Sequence, residues 1–409
     1  MHPSALQIRD FTYDLPEEKI ARYPLEQRDQ SRLLLYRNQA FTEDTYRNID
    51  RFLPEGALMV FNQTRVIHAR LLFRKPTGGR IEVFCLEPDN RYPDVQTAML
   101  QQGEVYWKCM VGGAAKWKEG QVLELEQEHA DAPKVFAALH ERAEGVYILH
   151  LYWPASDTTF AEVLHQAGKV PLPPYLNRDA EQADEHRYQT IFAREEGSVA
   201  APTAALHFTD EVMQSLAEKA IDAAFVTLHV GAGTFKPVKS ETMEGHDMHA
   251  EWIEVTAPLL ETVMNRLALD KPVVAVGTTS CRTLESLYWI GVRLIRKENI
   301  DFAGIAMPQW YPYENPSDIP ATTAFRALLD YLQSTPLSKL VTRTQIIIAP
   351  GYSFRVIAGM VTNFHQPQST LLLLVAALVG PSWRDIYTYA LEHGFRFLSY
   401  GDGCLLWKK

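Results

Sequence analysis

The feature that most constrains the fold is a change of pattern close to residue 154. Between residues 65 and 153 there is little helical period, and short β-rich runs such as RIEVFCL, VYWKCMV and GVYILHLYW recur between turns containing Gly, Pro, Asp or Asn. This spacing is typical of a small antiparallel β-barrel. After Pro154, helix-like and strand-like runs alternate to the end of the sequence. Such alternation favours a parallel or mixed sheet with helices on its faces.

We therefore predict an α/β fold, in which a mixed sheet with flanking helices carries an inserted small antiparallel β-barrel domain. The α/β domain is expected to comprise residues 1–63 and 154–409, and the barrel domain residues 64–153. Two domains agree with a length of 409 residues, which is long for one compact unit.

The composition argues against several classes of protein. The longest apolar run, residues 371–379, is much shorter than a bilayer-spanning helix, and the first residues lack the apolar core of a signal peptide. Cys85, Cys109, Cys281 and Cys404 form no CxxC pair, so we expect neither a disulfide framework nor a zinc site. We expect a cytoplasmic protein, a monomer, with no metal and no membrane partner.

The net charge of −10 would repel nucleic acid, so any RNA site must be a local basic patch. One run, TRVIHARLLFRKPTGGRI at residues 64–81, contains no acidic residue. Its cations could contact phosphates, or they could simply form solvated strand faces. The candidate RNA-binding residues are Arg65, Arg70, Arg74, Lys75 and Arg80.

Four loop segments contain Thr together with His, Gly or both, a combination that ordinary connections do not need. They are SVAAPTAALHFT at 198–209, TLHVGAGTFKPV at 227–238, VVAVGTTSCRTLES at 273–286 and the run from residue 351 to 380. Binding residues tend to lie on loops held by a rigid scaffold, and in an α/β sheet they meet at the ends of the strands. The alternative is a set of decorated loops with structural histidines.

The third segment places Thr278 and Thr279 where a helix should begin. Hydroxyls at that position accept from the free N–H groups of the first turn, and the helix dipole favours a bound anion there. Arg282 and Glu285 follow within the first turns and could face the same ligand. A plain capped helix is the alternative for the two threonines.

The motifs also resemble a known family. FNQTRVIHARL, RYQTIFAREEGSVAAPTAALHFT, HVGAGTFKPV, VGTTSCRTLES and TNFHQPQSTLLLLVAALVG are similar, in order, to those of the S-adenosylmethionine:tRNA ribosyltransferase-isomerases of queuosine biosynthesis. The resemblance extends from Ser31 to Gly403 and implies an α/β domain with an inserted β-barrel. It implies S-adenosylmethionine as co-substrate and tRNA as partner. In the implied reaction the ribosyl moiety joins 7-aminomethyl-7-deazaguanine at the wobble position, giving epoxyqueuosine, adenine and methionine.

On these motifs we assign candidate roles. Such a reaction needs a base for the C5′ proton, a role that a neutral imidazole can fill, and Arg282 could hold the methionine carboxylate. The catalytic candidates are His207, His229, His249, His365, Glu285 and Asp402. The candidates for binding S-adenosylmethionine are Phe208, Gly231, Gly233, Thr234, Phe235, Thr278, Thr279, Arg282, Asn363, Ser369 and Thr370.

Three alternatives stay open at this point. HVGAGTF after a strand also resembles the glycine-rich motif of class I methyltransferases, although no helical run follows it directly. A non-catalytic RNA-binding relative is a second alternative. A divergent paralogue with another acceptor is the third, because the chain departs from the family pattern at Gln63, His68, Ala205, Ala358, Gln366, Gln368, Gly403 and Cys404.

Overall fold

The structure is a computed structural model that describes residues 2–118, 120–126, 134–143, 146–155, 157–231 and 240–409. The strands are β1 (Arg32–Arg37), β2 (Ala40–Thr45), β3 (Leu58–Asn62), β4 (Thr64–Val66), β5 (Arg70–Arg74), β6 (Arg80–Pro88), β7 (Glu104–Gly112), β8 (Leu123–Leu125), β9 (Phe136–Ala143), β10 (Val146–Tyr152), β11 (Glu195–Ser198), β12 (Asp222–His229), β13 (Glu251–Thr256), β14 (Val273–Val276), β15 (Ile305–Met307), β16 (Lys339–Thr344), β17 (Gly359–Asn363) and β18 (Gly403–Trp407). The α-helices are α1 (Val95–Met99), α2 (Phe160–Ala167), α3 (Asp184–Arg187), α4 (Asp210–Glu218), α5 (Ala257–Ala268), α6 (Thr278–Ile295), α7 (Tyr311–Glu314), α8 (Ala321–Ser334), α9 (Thr370–Val379) and α10 (Trp383–Glu392).

The large sheet is mixed, as predicted. Its order is β15-β16-β13-β12-β3-β14-β17-β18-β1-β2, and the four central strands β12, β3, β14 and β17 are mutually parallel. Every residue of β3, β14 and β17 is buried, because helices and loops cover both faces. Because these strands are parallel, their carboxyl ends lie on the same side of the sheet, which is where polar ligands bind in sheets of this kind.

The predicted antiparallel barrel is also confirmed. Strands β10-β7-β6-β5-β8-β9 close on themselves with antiparallel neighbours. Along β7, Val105, Trp107 and Cys109 point inward and are buried, whereas Tyr106 and Lys108 between them are partly exposed. This period of two is what a barrel wall requires. The short β4, where the predicted barrel domain begins, pairs instead with β11 in a separate parallel ribbon.

Helices α9 and α10 follow each other through one 3-10 turn, Gly380–Ser382. Together they make one stretch, Thr370–Glu392, that is long and apolar enough to cross a bilayer by length and composition alone. More than half of its most apolar window is buried inside the protein, because α9 packs in the main hydrophobic core. A buried core helix of a globular protein has the same composition.

The central helix α6 is buried along most of its length and packs against α8. At their crossing, a Cβ on Gly291 would lie 2.2 Å from the carbonyl oxygen of Ala324. Backbone approaches this close are open only to glycine. The contact therefore fixes how near α8 can come to α6.

We expect Gly291→Ala to destabilise the fold by about 1–3 kcal/mol, because the added methyl group overpacks the crossing. Helix propensity alone would favour alanine by about 1 kcal/mol, so the sign of the change is informative. Gly79→Ala is the matched control, since a Cβ there meets only a flexible end of Lys75, 3.4 Å away. Urea unfolding measures both variants; a Gly291→Ala protein as stable as the wild type would contradict the tight crossing.

Candidate functional site

A cleft of two adjoining chambers lies at the carboxyl ends of the central parallel strands. The first chamber, with a cavity volume of about 100 Å³, is lined by residues that follow β12, β14 and β17, including Val230, Gly277 and Phe364. The second, of about 280 Å³, is lined by residues 245–249 and by Arg282 and Glu251. Only together do they reach the roughly 300 Å³ typical of a small-molecule site. Gln366, Ser369 and Leu371 line both chambers.

The start of α6 opens into the first chamber. Gly277, with φ +88°, is its N-cap and no side chain caps the helix, so the predicted capping role of Thr278 and Thr279 is wrong. Both threonines instead line the chamber, and Thr279 Oγ1 is buried with no hydrogen-bond partner among the described residues. Free N–H groups and an unpaired hydroxyl can both bind an oxygen-rich ligand.

The end of β17 forms another part of the wall of the first chamber. Asn363 accepts from Thr203 Oγ1 at 2.8 Å, and His365 Nε2 lies 2.8 Å from Thr362 Oγ1. Burial lowers the pKa of His365 to about 3, so the imidazole is neutral at physiological pH. Both predicted residues, Asn363 and His365, therefore lie in the cleft as uncharged hydrogen-bonding groups.

Arg282 dominates the second chamber. Its side chain is only 9% exposed; Nη1 forms an ion pair with Glu251, and Nε donates to the carbonyl oxygen of Ile346 at 3.2 Å. Nη2 is buried without a hydrogen-bond partner in the part of the chain that the structure describes. The predicted residues Gly231, His249 and Thr370 line the same chamber. Ser369, at the boundary, caps α9 by accepting from the Leu372 N–H at 3.2 Å.

Comparison with known proteins gives the cleft a family context. The sequence model described as Queuosine biosynthesis protein matches residues 8–304 and 320–406. The chain belongs to this queuosine biosynthesis family. It is 38% identical, over 98% of its length and 94% of the relative, to the S-adenosylmethionine:tRNA ribosyltransferase-isomerase of Magnetococcus marinus. The enzyme of the same name from Paraburkholderia phytofirmans is 39% identical, over 99% of each chain.

A solved structure from Thermotoga maritima, described as an S-adenosylmethionine tRNA ribosyltransferase, is also similar. It shares 26% identity with a TM-score of 0.46, over 97% of this chain and 99% of that one.

In this queuosine-family chain, Glu285 lies outside the cleft. It is fully buried, and its carboxylate accepts from the N–H groups of Arg355, Val356 and Ile357 and from the hydroxyl of Tyr352. Burial raises its pKa while these hydrogen bonds oppose the rise. A carboxylate satisfied in this way is a structural anchor, so the predicted catalytic role of Glu285 is not supported.

Asp402 is likewise a structural acceptor. Its oxygens accept from the backbone N–H of Arg32 at 2.9 Å and of Arg396 at 2.8 Å, and from the Arg396 guanidinium at 3.0 Å. The side chain is almost fully buried and lines neither chamber. It ties the start of β1 to the loop before β18 and does not face the cleft.

His207 and Phe208 are buried and line neither chamber. The His207 ring packs 4.4 Å from that of Tyr46, and burial lowers its pKa to about 4. Phe208 is fully buried edge-on against Phe61 and Tyr46, which leaves it no face for adenine. The structure therefore overturns the stacking prediction for Phe208 and places His207 away from the cleft.

His229 ends β12 but points away from both chambers. Its Nδ1 lies 3.1 Å from Thr64 Oγ1, and its Nε2 lies 3.5 Å from a carboxylate oxygen of Glu254. The predicted residues Gly233, Thr234 and Phe235 lie outside the described residues.

The candidate RNA-binding cations mostly have carboxylate partners. Arg70 pairs with Glu82, while Arg74 and Arg80 share Glu126, whose pKa these two guanidiniums lower to about 2. The remaining cations are Arg65, on β4 and 3.9 Å from Glu196, and Lys75, which donates to the carbonyl oxygen of Lys116. The run is therefore less positive than its sequence suggests.

In the described part of the chain, no group of three or more His, Cys, Asp or Glu side chains could hold a metal ion.

Sequence reasoning missed several residues of the cleft. Tyr175 and Tyr188 line the first chamber although they come from a Pro-rich stretch and a short helix far from the four segments. Glu251 lines the second chamber from the first position of β13. A buried-strand position occupied by an acid was the one signal available for Glu251.

Of the departures from the family pattern, Gln366 lines both chambers, whereas Gln368 is exposed outside them.

If Glu285 is structural, Glu285→Ala should lower the free energy of unfolding by at least about 3 kcal/mol, because it leaves several buried donors without an acceptor. Glu261→Ala, on the exposed side of α5, is the control and should change stability by no more than about 0.5 kcal/mol. Chemical denaturation followed by circular dichroism measures both. Wild-type stability in Glu285→Ala would instead restore the catalytic interpretation.

Proposed function

We propose that this chain is an S-adenosylmethionine:tRNA ribosyltransferase-isomerase of queuosine biosynthesis. The observation that carries the proposal is the convergence of family motifs on one cleft, with a helix N-terminus at one end and a buried guanidinium at the other. The names of relatives that match it over nearly the whole chain support the same activity.

S-adenosylmethionine would lie across both chambers. Its carboxylate would bind Arg282 in the second chamber, since none of the described residues accepts a hydrogen bond from Nη2. Its ribose and adenine would then extend into the first chamber, towards Thr278, Thr279 and Asn363. The sulfonium would lie near the shared boundary, and the 7-aminomethyl-7-deazaguanine of the tRNA would reach the ribose from the first chamber.

Two of the four histidines predicted as the base line the cleft, His365 and His249. The reaction removes a proton from C5′, beside the sulfonium; the amine then attacks the ribose, adenine leaves, methionine leaves as its bond to C5′ breaks, and the epoxide closes. A general base works best with a pKa near the operating pH. Because burial holds the pKa of His365 near 3, we assign the base role to His249 and a hydrogen-bonding role to His365.

The methyltransferase alternative is disfavoured by topology. A class I methyltransferase needs a helix after the glycine-rich loop, whereas the next strand after β12, β13, pairs with it antiparallel. We further propose that the protein acts in the cytoplasm as a monomer, with tRNA as its macromolecular partner and no membrane partner.

The decisive assay incubates the protein with S-adenosylmethionine and tRNA carrying 7-aminomethyl-7-deazaguanine. We expect epoxyqueuosine by mass spectrometry of the wobble nucleoside, with adenine and methionine released. His249→Gln should lower the rate by about 10²–10⁴-fold with co-substrate binding retained, and more than His365→Gln does. Methylated RNA with S-adenosylhomocysteine would refute the proposal, and an active His249→Gln protein would refute only the assignment of the base.

tRNA binding by the barrel can be tested through salt dependence. Arg74 and Arg80 are 51% and 65% exposed, and such exposed ion pairs contribute little, so phosphates can replace Glu126. Arg74→Glu with Lys75→Glu should weaken tRNA binding, and each lost contact should reduce the salt slope by roughly 0.7–0.9. The control of equal charge change is Arg326→Glu with Lys408→Glu, two exposed cations elsewhere. An unchanged slope in the barrel variant would make the run a solvated surface.

A further inference from the structure

Arg282 and Glu251 form a buried ion pair on the wall of the second chamber. Their side chains are 9% and 6% exposed, one on α6 and the other on β13. A buried ion pair is weak evidence for stability, because desolvation of both charges can exceed their attraction. This pair therefore calls for a role other than stabilising the contact between the helix and the sheet.

Each partner has a polar atom that takes no part in the ion pair. Arg282 Nη2 has no hydrogen-bond partner among the described residues, and the ion pair with Arg282 is the one polar contact that the structure gives the Glu251 carboxylate there. Both residues line the second chamber. A donor of fixed positive charge and an acceptor of negative charge are thus held side by side in the wall of one cavity.

We propose that the second chamber is a binding site for an α-amino-acid zwitterion, in which Arg282 binds the carboxylate and Glu251 binds the ammonium group. The proposal rests on the proposed function, where the zwitterion is the methionyl end of S-adenosylmethionine. It adds Glu251 as a specificity residue that reads the amino group.

The spacing supports this assignment. The carboxylate and ammonium groups of an α-amino acid are attached to the same carbon, so the groups that bind them must be adjacent and of opposite sign. A contacting Arg–Glu pair meets that requirement, whereas a lone arginine would accept any carboxylate. A ligand without the amino group would displace water from Glu251 without donating a hydrogen bond to its carboxylate. A polar site rejects an incomplete analogue in this way, because a buried polar group is left unpaired.

The rest of the chamber agrees in shape and charge. Met248, Ile347 and Leu374 line it and would contact the methylene groups of the amino acid. Among the described residues that line it, the carboxylates of Glu251 and Asp247 accompany one guanidinium, that of Arg282. Burial lowers the pKa of His246, which keeps that ring uncharged at neutral pH. S-adenosylmethionine carries an excess of one positive charge, from its sulfonium.

The test measures calorimetric affinity for three ligands: S-adenosylhomocysteine, its analogue without the ammonium group and its analogue without the carboxylate. The wild type should prefer the complete ligand by about tenfold or more over each analogue, the loss expected for a charged hydrogen bond. Glu251→Gln should lose about tenfold for the two ligands that carry the ammonium group and remain within about threefold for the third. Arg282→Gln should show the reciprocal pattern for the carboxylate.

Glu244→Gln, an exposed change of the same kind just outside the chamber, is the control and should alter none of the affinities. Equal losses for all three ligands in Glu251→Gln would overturn the proposal, because Glu251 would then only hold Arg282 in place. Wild-type protein that binds the analogue without the ammonium group as tightly as the complete ligand would overturn it without any variant. Ligand discrimination without adenine release on tRNA would instead refute the proposed function and leave the zwitterion site standing.

Discussion

Helix α6 is the element on which the rest of the structure depends. It is buried along most of its length, and successive turns contact different parts of the molecule. Its first turn lines the first chamber, and Arg282 lines the second. Further along the helix, Glu285 accepts hydrogen bonds from the backbone of residues 355–357. Gly291 allows α8 to pack closely against the helix. Because one rigid helix carries all four contacts, the two chambers are held in a fixed relation, and their geometry is set by the packing of the core.

Arg282 and Glu285 lie on the same helix but differ in how far the protein satisfies their polar atoms, and this difference distinguishes a ligand-binding residue from a structural one. Both are buried charged residues on matched motifs, one turn apart. Glu285 has donors to both of its oxygens, whereas one nitrogen of Arg282, a residue that lines the second chamber, has no hydrogen-bond partner among the residues that the structure describes. Since buried polar groups are almost always satisfied, the one left unsatisfied at a cavity is the one available to a ligand.

The sequence was sufficient for the fold and the region of the site, and for only some of the residues that line the cleft. Periodicity distinguished the barrel from the sheet because each element type repeats its pattern over many residues. Strand-end loops pointed to the cleft because parallel strands finish at one edge. Phe208 and Asp402 were misassigned because only packing decides whether a loop side chain turns inward. Glu251 was missed because EWIEV does not reveal which face of β13 meets a chamber.

The placement of helix termini completes the argument for the proposed reaction. The N-terminus of α6 opens into the first chamber, and that of α9 lies at the boundary where Ser369 and Leu371 line both cavities. Helix N-termini carry partial positive charge and act within about one turn. In the proposed reaction the methionyl end of the co-substrate would be held in the second chamber, while a carbanion and a departing adenine would develop negative charge nearer the two helix ends. Charge that develops beside fixed dipoles is stabilised without reorganisation, so the two helix N-termini would favour the transition state over the bound substrate.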